Sequence, residues 1–313
     1  MMRLVFMGFQ SWGLVTLRAI VASGHDVVLV VTHPSDLEEY SASFRESVKE
    51  FAIARGIPTI ESRTAKDATV IGRILQEKAD VIVASNWRRY IPMELLHKLP
   101  HGGINVHRSL LPLYGGLAPI NWAIVDGAVE SGVTIHMLAD DFDLGDVLLQ
   151  ERFSIGPDET ATDVFHKTTP LVTRMVPEVL CQLDTGVVKR VPQDPRAATF
   201  FHSRTERENR IDWHRPRSAV YNLIRAQSDP FPNAFTNFGT TRVLVKSALM
   251  ADHCYRGTPG RIVRRTSEGV VVLCGDEGRG NQGLLLRTVA GPNGDPIPAA
   301  VFFEKGDGYL GPV

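Results

Sequence analysis

The sequence predicts an α/β fold, a doubly wound and mainly parallel sheet, followed by a smaller all-β domain. Three observations carry this reading. Short apolar runs rich in Val and Ile alternate with helix-spaced segments through the first half of the chain. That alternation decays after Gly186. Beyond residue 240, short strands separated by Gly and Pro turns take over. A length of 313 residues fits two domains. The expected division is an α/β domain over 1–188, a linker over 189–204 and a β domain over 205–313.

The elements follow in order. RLVFMG (3–8), DVVLVVT (26–32), DVIVAS (80–85) and GGINVH (102–107) are near-continuous apolar runs. A strand covered by helices on both faces requires such a run. In FRESVKEFA, Phe44, Val48 and Phe51 fall on one helical face. In ATVIGRILQEKA, Val70, Ile71, Ile74 and Leu75 do the same. SGVTIHML (131–138) and VLLQERFSI (147–155) read as strands flanking the acidic loop ADDFDLGD. TATD at 160–163 starts a helix that runs to about Asp184, and Pro170 and Pro177 are expected to kink or split it. Residues 186–204 read as a linker or strap. TTRVLVKSALM, GRIVRRTSEGVVVLCG and GLLLRTVAG then supply the strands of a small barrel.

Bulk properties exclude several classes. A formal net charge of −1 gives no general attraction to nucleic acid or anionic membrane. No apolar run reaches the length of a membrane span. The chain enters a strand at once, with no charged leader or signal core, so a cytoplasmic location is expected. Cys181, Cys254 and Cys274 are odd in number and widely spaced, which fits a reduced protein whose cysteines fill the core.

The chemistry concentrates at the end of the fourth apolar strand. Asn105 and His107 stand two apart on a strand and so share a face. An amide and an imidazole converging there can donate to an oxygen that becomes negative in acyl transfer. Alone, the triplet fits a turn residue beside a satisfied core histidine better. The acidic loop changes that balance. Asp140, Asp141, Asp143 and Asp146 crowd into seven positions and repel one another unless compensated. Their spacing does not fit a calcium loop, and no metal is expected. Asp140 and Asp141 read as a solvated turn. Asp143 lies between Phe142 and Leu144, and Gly145 permits a sharp turn, so Asp143 can be drawn inward beside His107. GFQSWG after the first strand lacks a dinucleotide fingerprint, and no Walker A motif, nucleophile elbow or H-E-x-x-H is present.

NVHRSLLP, GGLAPINWAI, SGVTIHML and DLGDVLLQ, in that order and spacing, resemble the 10-formyltetrahydrofolate-dependent formyltransferases. The resemblance continues through VPQDPRAATF and RIDWHRPRSAVYNLIRAQSDPFPNAF, and so looks like the methionyl-tRNA formyltransferase architecture. It implies a Rossmann-like catalytic domain and a C-terminal OB-like barrel. It places the catalytic trio on Asn105, His107 and Asp143. It implies that 10-formyltetrahydrofolate binds against Asn86, Trp87, Arg88, Tyr90 and Ile91, and against Met137, Ala139, Asp140 and Asp141. It also implies that the loop after the first strand, Phe9, Gln10, Ser11 and Trp12, faces the acceptor; the competing reading is that Phe9 and Trp12 seal the sheet against the next helix.

The segments MGFQSWG, VVTHP, SNWRRYIP and LYGGLAPINW resemble most the formyltransferases of hydroxamate-siderophore pathways. That implies a small amine partner, N5-hydroxyornithine, whose nitrogen is neutral at pH 7. The alternatives are initiator methionyl-tRNA and an amino sugar. The loop HPSDLEEYSASF carries Asp36, Glu38 and Glu39 and no Lys or Arg before Arg45, and Gly115 stands where the tRNA enzymes usually have Arg; both weigh against a nucleic-acid partner. A formyltetrahydrofolate hydrolase with the same trio is a further reading.

Overall fold

The Val- and Ile-rich runs fold as strands, as their β-branched composition favours. The structure is a computed structural model that describes residues 1–34, 46–276, 278, 280–304 and 308–311. In chain order the first elements are β1 (Arg3–Gly8), α1 (Gln10–Ala22), β2 (Asp26–Thr32), α2 (Val48–Ile53), β3 (Thr59–Glu61), α3 (Ala68–Gln76) and β4 (Val81–Ser85). Next come α4 (Met93–Leu96), β5 (Gly103–His107), β6 (Gly115–Gly116), α5 (Pro119–Val125), β7 (Glu130–Met137), β8 (Val147–Ser154), α6 (Ala161–Asp184) and β9 (Phe200–Phe201). The chain ends with α7 (Glu206–Asn209), α8 (Arg217–Ala226), β10 (Ala234–Phe238), β11 (Thr241–Met250), β12 (Ile262–Arg265), β13 (Val270–Leu273), β14 (Gly283–Ala290), β15 (Pro296–Pro298), α9 (Ala299–Phe302) and β16 (Leu310–Gly311).

Two units form. The first comprises Met1–Pro119, Glu130–Ser154 and Phe165–His202. Its sheet runs β3-β2-β1-β4-β5-β7-β8. The pairs from β3 to β5 are parallel, whereas β7 and β8 add antiparallel. The strand order turns back between β1 and β4, and at such a switch point the loops splay apart and leave a crevice. Alternate strand residues face opposite cores. Leu4, Phe6, Val30, Val83 and Val106 pack with α1, α2 and α6 on one face. Val5, Met7, Leu29, Ile82 and Ala84 pack with α3 and α4 on the other. Each Val, Leu, Ile, Phe or Met among them contributes about 1.5–3 kcal/mol on full burial.

Two expectations need correction and one is narrowed. The helix α6 is a single 24-residue element with Pro170 and Pro177 inside it, not split at either. Pro170 lies on its exposed side, where water can serve a freed carbonyl, while Val172, Met175, Val176, Val179, Leu180 and Leu183 bury the opposite stripe. Of the three cysteines, only Cys274 fills a core; Cys181 and Cys254 are exposed. The segment expected to form a loop after β1 is instead the start of α1, with Phe9 as its N-cap. The acidic loop with Asp36, Glu38 and Glu39, and Phe44 of the helix expected there, lie outside the described residues.

The second unit comprises Ile120–Val129, Ile155–Val164 and Ser203–Val313. Its antiparallel sheet runs β12-β13-β14-β11-β10-β16, with β15 paired to β14. A bridge between Arg261 and Tyr309 joins the two ends of that path. Ile262 donates to the Gly308 carbonyl at 3.0 Å and Leu310 to that of Gly260 at 2.8 Å, so the sheet curls into a small barrel. Trp213, Val245, Val272, Leu284, Leu286 and Phe303 fill it. Among the described residues no helix is long and apolar enough to cross a membrane.

Candidate active site

The strand β5 delivers Asn105 and His107 to one face at its carboxyl end. It pairs with β4 on one side and with β7 on the other, and the β7 register sets His136 opposite Asn105. Asn105 Nδ2 lies 3.1 Å from His136 Nε2 and donates to Asp143 Oδ1 at 3.3 Å. His107 Nδ1 is 3.7 Å and His136 Nε2 is 3.5 Å from the same oxygen. The three residues expected to form the catalytic trio therefore meet at Asp143.

Partner atoms fix the tautomers. His107 Nε2 lies 2.8 Å from the Tyr114 carbonyl, which can only accept, so Nε2 carries a hydrogen. In neutral His107 the lone pair is then on Nδ1, facing Asp143. His136 Nδ1 likewise donates to the Met137 carbonyl at 2.8 Å, leaving Nε2 as the acceptor for Asn105. This network also orients the Asn105 amide, with its NH2 turned toward two acceptors.

Asp143 is held by parts distant in sequence. Its side chain is 11% exposed. Its backbone has φ 56°, the left-handed region that Asp tolerates better than most residues. The Gly116 amide donates to Oδ2 at 2.8 Å. A Cβ on Gly116 would stand 2.3 Å from the Phe201 carbonyl oxygen, and one on Gly145 would stand 1.8 Å from that of Met137. Only glycine lets the loop fold this closely. Gln193 Nε2 donates to the Asp143 and Gly145 carbonyls at 2.8 and 2.7 Å. Burial pushes the Asp143 carboxyl up, but the charge of His107 and His136 when protonated, together with the Gly116 amide, outweighs it and holds the group well below the usual carboxylate range.

Beside these groups lies a pocket lined by Ala84, Trp87, Arg89, Tyr90, Ile91, Leu138, Ala139, Asp141 and Phe142, onto which Asn105, His136 and Asp143 open. Of the residues expected against the folate, Trp87, Tyr90, Ile91, Ala139 and Asp141 line it, while Asn86, Arg88, Met137 and Asp140 do not. Asn86, at φ 56°, turns its amide to the Phe9 carbonyl at 3.0 Å. Arg88 reaches Gln10 Oε1 at 3.0 Å. Met137 takes part through its backbone, and Asp140 is exposed. Sequence reasoning missed His136 and Gln193, and it did not single out Arg89 or Phe142 within SNWRRYI (85–91) and the acidic loop. His136 stands within TIHML, and its register with Asn105 is the signal that would have found it.

The stretch expected to face the acceptor is largely enclosed. Phe9, Gln10 and Ser11 are buried. Trp12 packs on Phe165 at 4.2 Å between ring centroids. Phe9 meets the edge of His33, which stacks on Trp87 at 4.0 Å. His33 donates from Nδ1 to the Ser62 carbonyl at 2.9 Å, and burial pushes its pKa down to about 4. Ser11 Oγ, His33 Nε2 and Trp87 Nε1 are buried polar atoms with no hydrogen-bond partner. Among the described residues no group of three His, Cys, Asp or Glu could hold a metal ion.

Comparison with known proteins agrees with this architecture. Residues 2–180 match the formyl transferase profile and residues 204–306 match the formyl transferase C-terminal domain. HypX from Aquifex aeolicus is similar at 20% identity and TM-score 0.64, over 98% of this chain and 48% of that one. This chain thus spans about half the length of HypX. An N-formyltransferase from Helicobacter canadensis, solved with folinic acid and dTDP-3-aminofucose, is similar at 18% identity and TM-score 0.65, over 91% of this chain and 99% of that one. A sugar N-formyltransferase from Shewanella is similar at 16% identity and TM-score 0.62, over 79% and 97% of the two chains. These likenesses concern the fold. The two profile matches cover both units, and this chain belongs to the formyl transferase family of enzymes.

Proposed function

We propose that this chain transfers a formyl group from 10-formyltetrahydrofolate to the nitrogen of a small amine. The convergence of Asn105, His107 and Asp143 beside the pocket carries the reading. The pocket suits a flat heteroaromatic such as a pterin: Tyr90, Ile91 and Leu138 give apolar walls, and Trp87 Nε1 is an unused buried donor. The folate supplies the formyl carbon, attack on it by the acceptor nitrogen puts negative charge on the formyl oxygen, and collapse breaks the bond from that carbon to N10 as N10 takes a proton and leaves in tetrahydrofolate.

The residues divide the work. Asn105 Nδ2 can exchange its long bond to Asp143 for a bond to that oxygen. His107 Nδ1 takes the proton leaving the acceptor nitrogen, because Nε2 is committed to Tyr114. Asp143 stays ionised and stabilises the imidazolium rather than keeping the proton itself. Phe9, Gln10, Ser11 and Trp12 stand on the acceptor side of this scheme.

Three acceptor classes remain. N5-hydroxyornithine rests on the sequence segments, together with the weak basicity of Asp143, which suits a nitrogen that is already neutral. A nucleotide-linked amino sugar is the reading the comparisons favour, since the Helicobacter canadensis protein was solved with dTDP-3-aminofucose and the Shewanella protein is a sugar N-formyltransferase. Initiator methionyl-tRNA is the third candidate. The test incubates the purified chain and 10-formyltetrahydrofolate with hydroxyornithine, ornithine, dTDP-3-aminofucose or charged initiator tRNA, or with no acceptor. Formylated product is followed by mass spectrometry. Folate deformylation at the same rate without any amine would make the chain a hydrolase and sink the proposal.

A further inference from the structure

Arg108 has no role in the scheme above, yet it is the most unusual charge in the first unit. It follows His107 directly and is 5% exposed. Its Nε donates to Thr168 Oγ1 at 3.1 Å and its Nη2 to the Trp12 carbonyl at 2.9 Å. The guanidinium carbon lies 5.2 Å from the Trp12 ring centroid and 5.5 Å from that of Phe165. Among the described residues no carboxylate pairs with it, and Nη1 makes no hydrogen bond.

A buried cation without an anion is costly to keep. Burial alone pushes the Arg108 pKa down to about 9, and no acidic neighbour opposes it. Two aromatic faces return only part of that cost. If packing were the whole purpose, an apolar side chain would serve better at this position. A ligand anion would supply the missing charge, and the guanidinium fork suits carboxylate and phosphate oxygens alike. The position fits the reaction. Arg108 directly follows the last residue of β5 and so stands at the same carboxyl edge as His107, its side chain turned to the α1 and α6 face and that of His107 to the other; an anion on Arg108 lies across that edge from His107. Trp12, which holds Arg108 through its carbonyl and its ring, belongs to the stretch assigned to the acceptor side.

We propose that Arg108 is a specificity-determining residue that binds an anionic group of the acceptor, so that the substrate is an amine also carrying a carboxylate or a phosphate. This deepens the formyl-transfer reading and rests on it. An amino acid would offer its α-carboxylate, and a sugar nucleotide its diphosphate.

The test compares four compounds on the full chain: N5-hydroxyornithine and its methyl ester, and a dTDP-linked amino sugar and the same sugar without its diphosphate. For whichever pair is formylated, removing the anion should raise the acceptor KM about ten- to a hundredfold, as loss of a charged hydrogen bond does. That comparison needs no variant to fold, and the responding pair tells carboxylate from phosphate. Arg108→Met should raise the KM of the charged acceptor by a similar factor and erase its preference over the blocked one. Arg108→Lys, which keeps the charge without the fork, should fall between. The KM for 10-formyltetrahydrofolate should move less than twofold. If the charged and blocked acceptors are used equally well by the wild type, or if Arg108→Met keeps the preference, the assignment is wrong and formyl transfer stands. If none of the four is formylated while 10-formyltetrahydrofolate still binds, the acceptor reading itself fails, and the Arg108 assignment with it.

Discussion

Replacing Asp143 by Asn tests what an ionised carboxylate does in this site. The side chain keeps its size, and its remaining oxygen can still accept from the Gly116 amide. An NH2 group then points at Asn105 Nδ2, His136 Nε2 and His107 Nδ1, which lie 3.3, 3.5 and 3.7 Å from the present Oδ1. Toward Asn105 this sets donor against donor. Toward His107 it occupies Nδ1, the one nitrogen free to take a proton, because Nε2 donates to Tyr114. The flipped amide avoids this only by opposing the Gly116 amide with another donor. Loss of a positioned base typically costs about 10²–10⁴ in rate, so kcat should fall by that factor while folate binding holds. Stability should fall by about 1.5–3 kcal/mol, the usual value of hydrogen bonds to charged groups. The pH dependence is specific. A carboxyl depressed by folding stabilises the protein above its unfolded pKa of about 3.9, and that contribution is lost as pH falls through the lower folded value. The melting temperatures of wild type and Asp143→Asn should therefore differ at pH 5 and converge as pH falls into strong acid. Single-turnover kinetics and thermal melts across pH measure both effects. A variant within fivefold of wild type, or melting temperatures that already coincide at pH 5, would refute the assignment.

Asn105→Ala should lose about a hundred- to a thousandfold in kcat, as removal of one oxyanion donor does, and calorimetry should still find the folate bound. Gly145→Ala places a methyl group 1.8 Å from the Met137 oxygen and should displace the Asp143 loop, with activity and melting temperature both falling. Gly72→Ala in α3 is its control, because nothing lies within 4 Å and a helix gains about 0.4–1 kcal/mol from Ala. His33 refuses in the folded state a proton that the unfolded chain takes below about pH 6.5, so stability should decline as pH falls from there to about 4 and then level off. After allowance for solvent screening the span is about 1–2 kcal/mol; His33→Gln should flatten that slope, and an unchanged slope would show that another group sets it.

The strands of the first unit were legible because a sheet buried on both faces leaves long Val and Ile runs, and the N-x-H triplet was legible because strand periodicity puts residues 105 and 107 on one face. The rest depended on contacts between distant segments. His136 is recognisable only through the antiparallel register of β5 and β7, which no local pattern in SGVTIHML discloses. The prolines of α6 failed to divide it because the apolar stripe of the helix is set by burial. Phe9 to Trp12 were expected in a loop, but Gln10 at φ 55° opens the helix directly after β1. In Arg108 the sequence offers an ordinary polar turn residue; that it is buried between two aromatic rings is a property of packing alone.

Residues 186–204 change meaning in the fold. Val191 pairs with Val147 next to the acidic loop, and Phe200 and Phe201 pair with Gly115 and Gly116. Tyr114 donates from its backbone to Thr199 Oγ1 at 2.9 Å, and Tyr114 is the residue whose carbonyl fixes His107. Gln193 ties down the carbonyls of Asp143 and Gly145. The strap therefore grips both sides of the reacting centre, the turn that orients the imidazole and the loop that presents the carboxylate. Asp143 sits in a backbone conformation that costs energy for a non-glycine residue. Without Gln193 the loop could relax toward an ordinary φ and swing the carboxylate off His107. Under the proposed chemistry Gln193 would be a positioning residue: it touches no reacting atom, and its two hydrogen bonds hold the backbone of the loop that sets Asp143 3.7 Å from His107.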